Sequence, residues 1–200
     1  ESTYFSTRVS IPPESDEGLI EETAFKSIQL PPDQFTTSSY PLEKTGDSWM
    51  FLHLAIPNTI LEPFKQLFNQ LTPQPSTVLP ESIAAFPVIK DVVGKNETVA
   101  YLPQSSNLIF YDSLGVVSSV SLSGKEELGK EVTSNFAQFY RDYKRKPRRI
   151  VAATSLAALL KSLDVEVIPT SHLLERKIGQ ISPKGLEGVE LETLNIAVLG

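Results

Sequence analysis

The chain has 200 residues, with 24 acidic and 18 basic side chains and a net charge of −6. It contains no cysteine and only two histidines, which argues against disulfides, thiol catalysis and cysteine- or histidine-rich metal centres. With 40 % hydrophobic and 21 % charged residues, the composition is typical of a folded globular protein. No apolar run approaches the roughly 20 residues needed to cross a bilayer. Because the sequence begins at Glu1 without an initiator methionine, we expect a soluble piece of a longer protein.

The first part of the chain is predicted to form alternating strands and helices. Residues 4–11 alternate as in a strand, and a helix opens at Ser15-Asp16-Glu17 with apolar residues at helical spacing. Two further strands are predicted at Phe35–Glu43 and Trp49–Ile56. The second of these is apolar enough to be a central, buried strand.

A helix is predicted to close this region, capped by Asn58 or Thr59. Its apolar residues recur at helical spacing and form one stripe: Ile60, Leu61, Phe64, Leu67, Phe68 and Leu71. The sequence Thr72-Pro73-Gln74-Pro75 follows and is the best candidate for a linker. We therefore predict two domains, a βαββα unit at residues 1–72 and a second unit at residues 73–200.

The second unit is predicted to be a mixed α/β structure with a three-strand meander followed by βαβ-like alternation. Its predicted strands are Thr77–Leu79, Thr98–Tyr101, Asn107–Asp112, Val116–Leu122, Arg149–Ala153 and Val165–Ile168. Its predicted helices run from Pro80 towards Phe86, Gly124–Tyr143, Ser155–Leu163, from Ser171, and within Leu186–Leu199. The longest helix carries an apolar side that ends in Phe139, Tyr140 and Tyr143.

Local motifs indicate little catalytic chemistry. The chain has no phosphate-binding loop of the G-x-x-x-x-G-K-[ST] type, no G-x-G-x-x-G and no G-x-S-x-G. His53 lies within an apolar strand and is best interpreted as a core or edge histidine. His172 follows Pro169-Thr170-Ser171 at a helix start, but no nucleophile or acidic partner adjoins it in sequence.

One strongly basic stretch, Lys144–Arg149, stands out against the acidic whole. The favoured interpretation is a cationic helix end, stabilised by the helix dipole and followed by a proline stop at Pro147. The alternative is an unrelated α/β binding module in which this stretch contacts nucleic acid or anionic lipid. Because the chain is acidic overall, nucleic acid is not the expected partner.

The order of the elements resembles a known family. The residues that carry the resemblance come in this order: the strand from Phe5 to Pro12, the acidic helix from Glu17 to Ala24, the strand end Leu54-Ala55-Ile56-Pro57, the helix from Ile60 to Lys65, and the step from Val78 to Ala85. They are similar to the PilM family, the actin-like cytoplasmic proteins of type IV pilus assembly. FtsA and the cytoplasmic domain of GspL are more distant relatives. The later strands, the long helix and Asn195–Gly200 follow the same order.

The resemblance implies a fold. It is an actin-like, ribonuclease H-like lobe of the α/β (α+β) class, carrying a small inserted βαββα subdomain at residues 1–72. The family's first phosphate loop, D-x-G-x-x-[ST], has no counterpart in this chain. The resemblance therefore implies a degenerate member that lacks its amino-terminal part.

The second phosphate loop of the family, D-x-G-x-x-x-T, aligns with altered residues. Tyr101 occupies the aspartate position, Pro103 the glycine position, and Ser106 retains only a hydroxyl near the threonine position. The carboxylate that positions metal-bound water and the glycine that admits phosphate are both lost. The paired glycines near the adenosine fall at Ala153-Thr154. We therefore expect no ATP hydrolysis, no metal and no bound cofactor, although ATP is used by less altered relatives.

The resemblance also implies a function. PilM binds a short amino-terminal segment of the inner-membrane protein PilN, in a groove between its first lobe and the inserted subdomain. We therefore expect a non-catalytic scaffold of a type IV pilus or type II secretion-like assembly. It would be cytoplasmic, at the inner face of the bacterial inner membrane, with other pilus assembly proteins as partners and only indirect membrane contact. The alternative is an actin-like ATPase with unconventional nucleotide loops.

Overall fold

The computed structural model describes residues 4–28, 31–71, 79–104, 106–123, 127–161 and 163–178. The chain divides into two compact units, Glu1–Val78 and Leu79–Gly200. The predicted boundary between residues 72 and 73, with the linker beside it, lies outside the described residues. The same holds for the predicted helix within Leu186–Leu199.

Unit 1 has the predicted βαββα order. Its elements are β1 (Phe5–Ile11), α1 (Glu17–Ile28), β2 (Phe35–Thr45), β3 (Ser48–Pro57) and α2 (Asn58–Phe68). The three strands form an antiparallel sheet in the order β1-β3-β2. The apolar strand predicted to be central is β3, and its residues 52–55 are all buried.

Local chemistry explains the ends of these elements. Asp16 begins α1, because its Oδ1 accepts a hydrogen bond from the backbone N–H of Leu19 at 2.9 Å. Gly46 makes the turn between β2 and β3 with φ +47°, a conformation that glycine adopts without strain. The core of unit 1 lies between α1 and the sheet, where Ile20 and Ala24 pack against Val9 and Ile11.

The predicted cap of α2 is wrong. Pro57 occupies the cap position, no side chain makes a capping hydrogen bond there, and Asn58 is the first residue of the helix. The Asn58 side chain instead makes hydrogen bonds to residues near the start of β2. Its Oδ1 accepts from Thr36 Oγ1 at 2.8 Å, and its Nδ2 donates to the Asp33 carbonyl at 3.3 Å. Asn58 thus connects the start of α2 to the start of β2.

Unit 2 contains a five-stranded mixed sheet in the order β6-β5-β4-β7-β8. Its elements are α3 (Glu81–Ile89), β4 (Val99–Leu102), β5 (Asn107–Asp112), β6 (Gly115–Ser121), α4 (Leu128–Tyr143), β7 (Arg149–Ala152), α5 (Thr154–Ala157), β8 (Glu166–Pro169) and α6 (Thr170–Ile178). Strands β4, β7 and β8 are parallel, while β5 and β6 continue the sheet as antiparallel neighbours. Three meander strands followed by two crossover strands give the ribonuclease H-like order implied by the resemblance.

Both faces of this sheet are covered. Along β4, Val99 and Tyr101 point to one face and Ala100 and Leu102 to the other, as the two-residue period of a strand requires. The first face packs against α3 and α6. The second packs against α4 and the chain from α5 to Leu160. The strands of unit 2 are therefore buried on both sides, as crossover sheets generally are.

Several predicted boundaries in unit 2 need correction. The helix predicted to reach Leu163 ends at Ala157, and turns with hydrogen bonds between residues three apart continue it to Leu160. The helix predicted from Gly124 begins at Leu128, with residues 124–126 outside the described residues. Of the strand predicted at Thr77–Leu79, only Leu79 is among the described residues, and it lies outside any strand.

Candidate functional site

The apolar face of α2 is exposed. We use this name for Ile60, Phe64, Leu67 and Phe68, which recur at helical spacing and so share one side of α2, together with Leu71 in the turn that follows the helix. Phe64, Leu67 and Leu71 are 47 %, 51 % and 43 % exposed. The rings of Phe64 and Phe68 lie 6.1 Å apart, centroid to centroid. The residues form one continuous apolar surface rather than scattered exposed side chains.

The helix α2 is attached to unit 1 through a residue at one edge of its apolar face. Leu61 is the one buried residue of α2, and the helix packs on β3. The hydrogen bonds of Asn58 hold its first turn. On the polar side, Lys65 Nζ donates to Glu62 Oε1 at 2.8 Å. The centre of the stripe, at Phe64, is therefore presented on a fixed helix and is available to a binding partner.

The residues at the predicted phosphate-loop positions lie in a buried strand, a bend and a turn. Tyr101 is 1 % exposed and packs in the core, with its ring centroid 6.3 Å from that of Tyr111. Burial, and secondarily the charge of Glu81, raises the pKa of the Tyr101 hydroxyl well above its usual value, so this hydroxyl stays neutral. Pro103 forms a bend and Ser106 an exposed turn whose carbonyl accepts from Leu122 N at 2.7 Å.

The remaining nucleotide positions lie at the carboxyl ends of parallel strands. Ala153 follows β7 and Thr154 begins α5, where Thr154 Oγ1 lies 3.5 Å from Ser171 Oγ. No glycine is present at either position, and Tyr101 and Pro103 offer neither a carboxylate nor an N–H donor. These side chains do not fit a magnesium-bound nucleotide.

The two histidines have different surroundings. His53 is 1 % exposed, its Nδ1 hydrogen-bonds with Ser39 Oγ at 2.9 Å, and its ring meets Phe25 edge-on. Burial lowers the pKa of His53, partly opposed by Glu21, so the ring is held neutral in the fold. His172 is exposed and lines a cavity of about 550 Å³ beside β8. No catalytic partner lies with either ring among the interactions of the described residues.

Two arginines of the basic stretch, Arg145 and Arg149, make close ion pairs. Arg145 Nη1 lies 3.1 Å from Asp112 Oδ2, and Arg149 contacts both Glu97 Oε2 at 3.0 Å and Glu166 Oε2 at 2.9 Å. The hydrogen bond with Glu166 raises the pKa of Arg149 further. Lys144 ends α4 in a left-handed conformation, with its N–H bonded to the Tyr140 carbonyl. These contacts support the interpretation as a helix end, with further ion pairs that join the strands.

Clusters of metal ligands and membrane-spanning helices are both absent from the described residues. No three His, Asp or Glu side chains in that part of the chain converge as a metal site requires. No helix within it is long and apolar enough to span a membrane.

Comparison with solved structures identifies the fold. A chain of the structure described as a "PilM-PilN type IV pilus biogenesis complex" superposes with a TM-score of 0.71, over 98 % of this chain and 75 % of that chain, at 12 % sequence identity. The chain has an actin-like, PilM-type fold. A protein of Bacteroides thetaiotaomicron, described as having an actin-like ATPase fold and unknown function, aligns with a TM-score of 0.47 at 9 % identity, over 80 % of this chain and 63 % of that one. Neither a protein-family profile nor the sequence of a curated protein matches the chain.

The PilM-type fold carries two exposed features that the sequence pattern did not reveal. An apolar stripe at helical spacing looks the same whether it faces a core or a partner. The stripe of α2 was recognised, but its exposure was not. Tyr140 and Tyr143 likewise continue the apolar side of α4 in sequence and are exposed in the structure.

Proposed function

We propose that this chain is a PilM-family scaffold that binds a short segment of a PilN-like inner-membrane protein. It acts without catalysis, in a type IV pilus or type II secretion-like assembly at the cytoplasmic face of the bacterial inner membrane. The observation that carries the proposal is the exposed apolar face of α2. The match to a chain of a PilM–PilN complex supports the choice of partner.

The apolar face of α2 is suited to capture a peptide. Its aromatic pair, Phe64 and Phe68, offers large side chains of the kind that dominate binding energies at interfaces. The partner segment would contribute apolar side chains, and the polar residues beside the stripe would form the rim. Because α2 is anchored through Leu61 and Asn58, little ordering cost falls on the scaffold when the segment binds.

A titration tests this function. The amino-terminal cytoplasmic segment of a PilN-like protein from the same organism, labelled with a fluorophore, is titrated with the 200-residue chain and with the full-length protein by anisotropy. Replacing Phe64→Ser and Leu67→Ser together should weaken binding by about tenfold or more, since each removes a large contact. The matched control is Gln66→Ser, on the opposite side of the same helix, with Gln70→Ser in the turn that follows it. No interaction with the full-length protein contradicts the proposal.

The non-catalytic part of the proposal rests on Tyr101 and Pro103. A buried phenol and a proline replace the two groups that a magnesium nucleotide needs. Calorimetric titration of the full-length protein with ATP and magnesium should give no measurable binding. Tight binding with slow turnover would instead favour the actin-like ATPase.

A further inference from the structure

A second exposed surface lies at the carboxyl end of α4, in unit 2. Tyr140 and Tyr143 are 49 % and 44 % exposed. Both lie near the end of α4, at positions i and i+3, which share one face of a helix. Asp142 lies on another side of the helix, where Gln138 Nε2 donates to its carboxylate oxygens at 2.8 and 2.9 Å. The two tyrosines are therefore followed directly by the basic residues that begin at Lys144, the left-handed cap of α4.

The cationic loop, residues 144–148, continues this surface in a fixed conformation. Pro147 is buried, while Lys146 and Arg148 on either side of it are exposed. The backbone of Arg148 is bonded on both sides, because its N–H donates to the Thr98 carbonyl at 3.3 Å and its carbonyl accepts from Glu166 N at 3.0 Å. The loop is thus tied to the sheet and displays its basic side chains outward.

Much of the positive charge of this loop is not neutralised. Lys146 has no ion pair among the described residues, and Lys144 Nζ donates to a carbonyl, that of Arg141, at 2.8 Å. Arg148 is 77 % exposed on its side chain and lies 3.6 Å from Glu97, a carboxylate that Arg149 binds more closely at 3.0 Å. Three exposed cations therefore adjoin the two exposed tyrosines.

We propose that the cationic loop, together with Tyr140 and Tyr143, docks directly on an anionic phospholipid surface. Lysine and arginine are attracted to the negative potential of such a surface. Tyrosine has an apolar ring and a polar hydroxyl, and it favours the depth of the lipid headgroups. This contact goes beyond the proposed function, in which the protein meets the membrane only through its partner.

The same charges disfavour nucleic acid as the occupant. Binding along a polyanion depends on neutralising many phosphates, and three cations on a chain of net charge −6 supply few such contacts. Binding to a bilayer requires only a local patch of positive charge. The tyrosines beside the loop add contacts with the lipid headgroups. The combination of aromatic and basic groups on one helix end therefore selects the lipid surface.

Vesicle co-sedimentation tests the proposal with the whole chain and no protein partner present. We expect binding to vesicles of phosphatidylcholine containing about 30 % phosphatidylglycerol and none to pure phosphatidylcholine, because only the former carries surface charge. Replacing Lys144→Gln, Lys146→Gln and Arg148→Gln together should weaken binding about 100-fold, at about fivefold for each charge. The matched control is Lys26→Gln with Lys65→Gln and Lys130→Gln, which changes the net charge equally at three exposed lysines, two on other helices and one at the opposite, amino-terminal end of α4.

The aromatic contribution has its own readout. Tyr140→Ser should weaken binding at raised ionic strength, where the charge attraction is screened, whereas the control Tyr40→Ser, at an exposed tyrosine of unit 1, should not. Equal binding to neutral and anionic vesicles would overturn the proposal. So would an equal loss in the two triple variants, or tighter binding to duplex DNA at the same phosphate concentration. None of these results bears on the apolar face of α2, because the vesicles contain no peptide.

Discussion

The two units cover their apolar surfaces to different degrees. In unit 2 both faces of the sheet carry a packed core, with Phe110 stacked on Phe139 at 4.2 Å between ring centroids. In unit 1 the core between α1 and the sheet is small, and the second helix leaves the middle of its apolar stripe exposed. The difference separates a sheet covered on both faces from a unit whose second helix leaves apolar side chains exposed.

The comparison also separates two ways of using aromatic residues. Within unit 2, Tyr111 donates its hydroxyl to the Ser82 carbonyl at 2.6 Å and stacks with Phe86. Those rings hold α3 against the sheet. In unit 1, Phe64 and Phe68 contact each other at the surface. Substitution should therefore affect stability in the first case and binding in the second.

The largest expected effect lies at Tyr101, in the core of unit 2. Restoring the family's carboxylate by Tyr101→Asp should lower the free energy of unfolding by at least about 4 kcal/mol, because it opens a cavity and buries a charge. Tyr101→Phe keeps the ring and should change stability by less than about 1 kcal/mol. Urea unfolding followed by far-ultraviolet circular dichroism measures both. A stable Tyr101→Asp protein that binds ATP would show that this position faces a nucleotide.

A pair of phenylalanines tests the contrast between the units most directly. Phe110→Ala should cost about 3–5 kcal/mol, since Phe110 is buried against two rings of α4. Phe64→Ala should change stability by no more than about 0.5 kcal/mol, because its side chain is already in contact with solvent. The same urea titration compares them. Equal losses in the two variants would mean that α2 is structural and would remove the basis for its role in binding.

The histidine of unit 1 should make that unit sensitive to acid. Because the folded-state pKa of His53 lies below its ordinary value of 6.5, the unfolded chain takes up the proton first. This contribution to stability is complete above pH 6.5 and is lost as the pH falls below it. Trp49, the only tryptophan, reports on unit 1 by fluorescence during urea unfolding at a series of pH values.

Two controls belong to this pH measurement. His53→Gln should reduce the slope of stability against pH. Ser39→Ala removes the hydrogen bond to His53 and should cost about 1 kcal/mol at neutral pH. A slope that persists in His53→Gln would assign the pH dependence to another group.

The smallest effects concern two residues with left-handed backbone, Gly46 in unit 1 and Lys144 in unit 2. Gly46→Ala in the β2–β3 turn should destabilise the protein by about 1 kcal/mol, because a side chain is strained at φ +47°. Lys144→Gly at the end of α4 should stabilise it by about 0.5 kcal/mol, because Lys144 already bears that strain at φ +56°. Thermal unfolding measures both shifts. Changes of the same sign would show that the strain at Lys144 is offset by its contacts.

Much of the element order could be read from local patterns. The bounds of β5 match its prediction because an apolar run lies between turn residues at both ends. Strand β3 was predicted to be central on its apolar content, and it pairs with both β1 and β2. The predicted helix cap at Asn58 was wrong because its side chain bonds to two groups distant in sequence, Thr36 and Asp33. Local rules for capping do not include such partners.

The candidate site was less accessible to prediction than the fold. The resemblance directed attention to Tyr101, Pro103 and Ser106, where the structure places a core side chain, a bend and an exposed turn. In the sequence, the apolar face of α2 was visible only as a helical spacing of apolar residues. Periodicity measures which side chains share a helix face, whereas exposure depends on what lies opposite that face.

The amino-acid sequence by itself determined the absence of thiol chemistry and the alternation of strands and helices. These follow from residue identity and local periodicity. Only the tertiary structure decided the strand order β6-β5-β4-β7-β8, the burial of Tyr101 and the exposure of Phe64 and Tyr140. Strand pairing and exposure depend on contacts between residues far apart in the chain, and no local pattern contains that information.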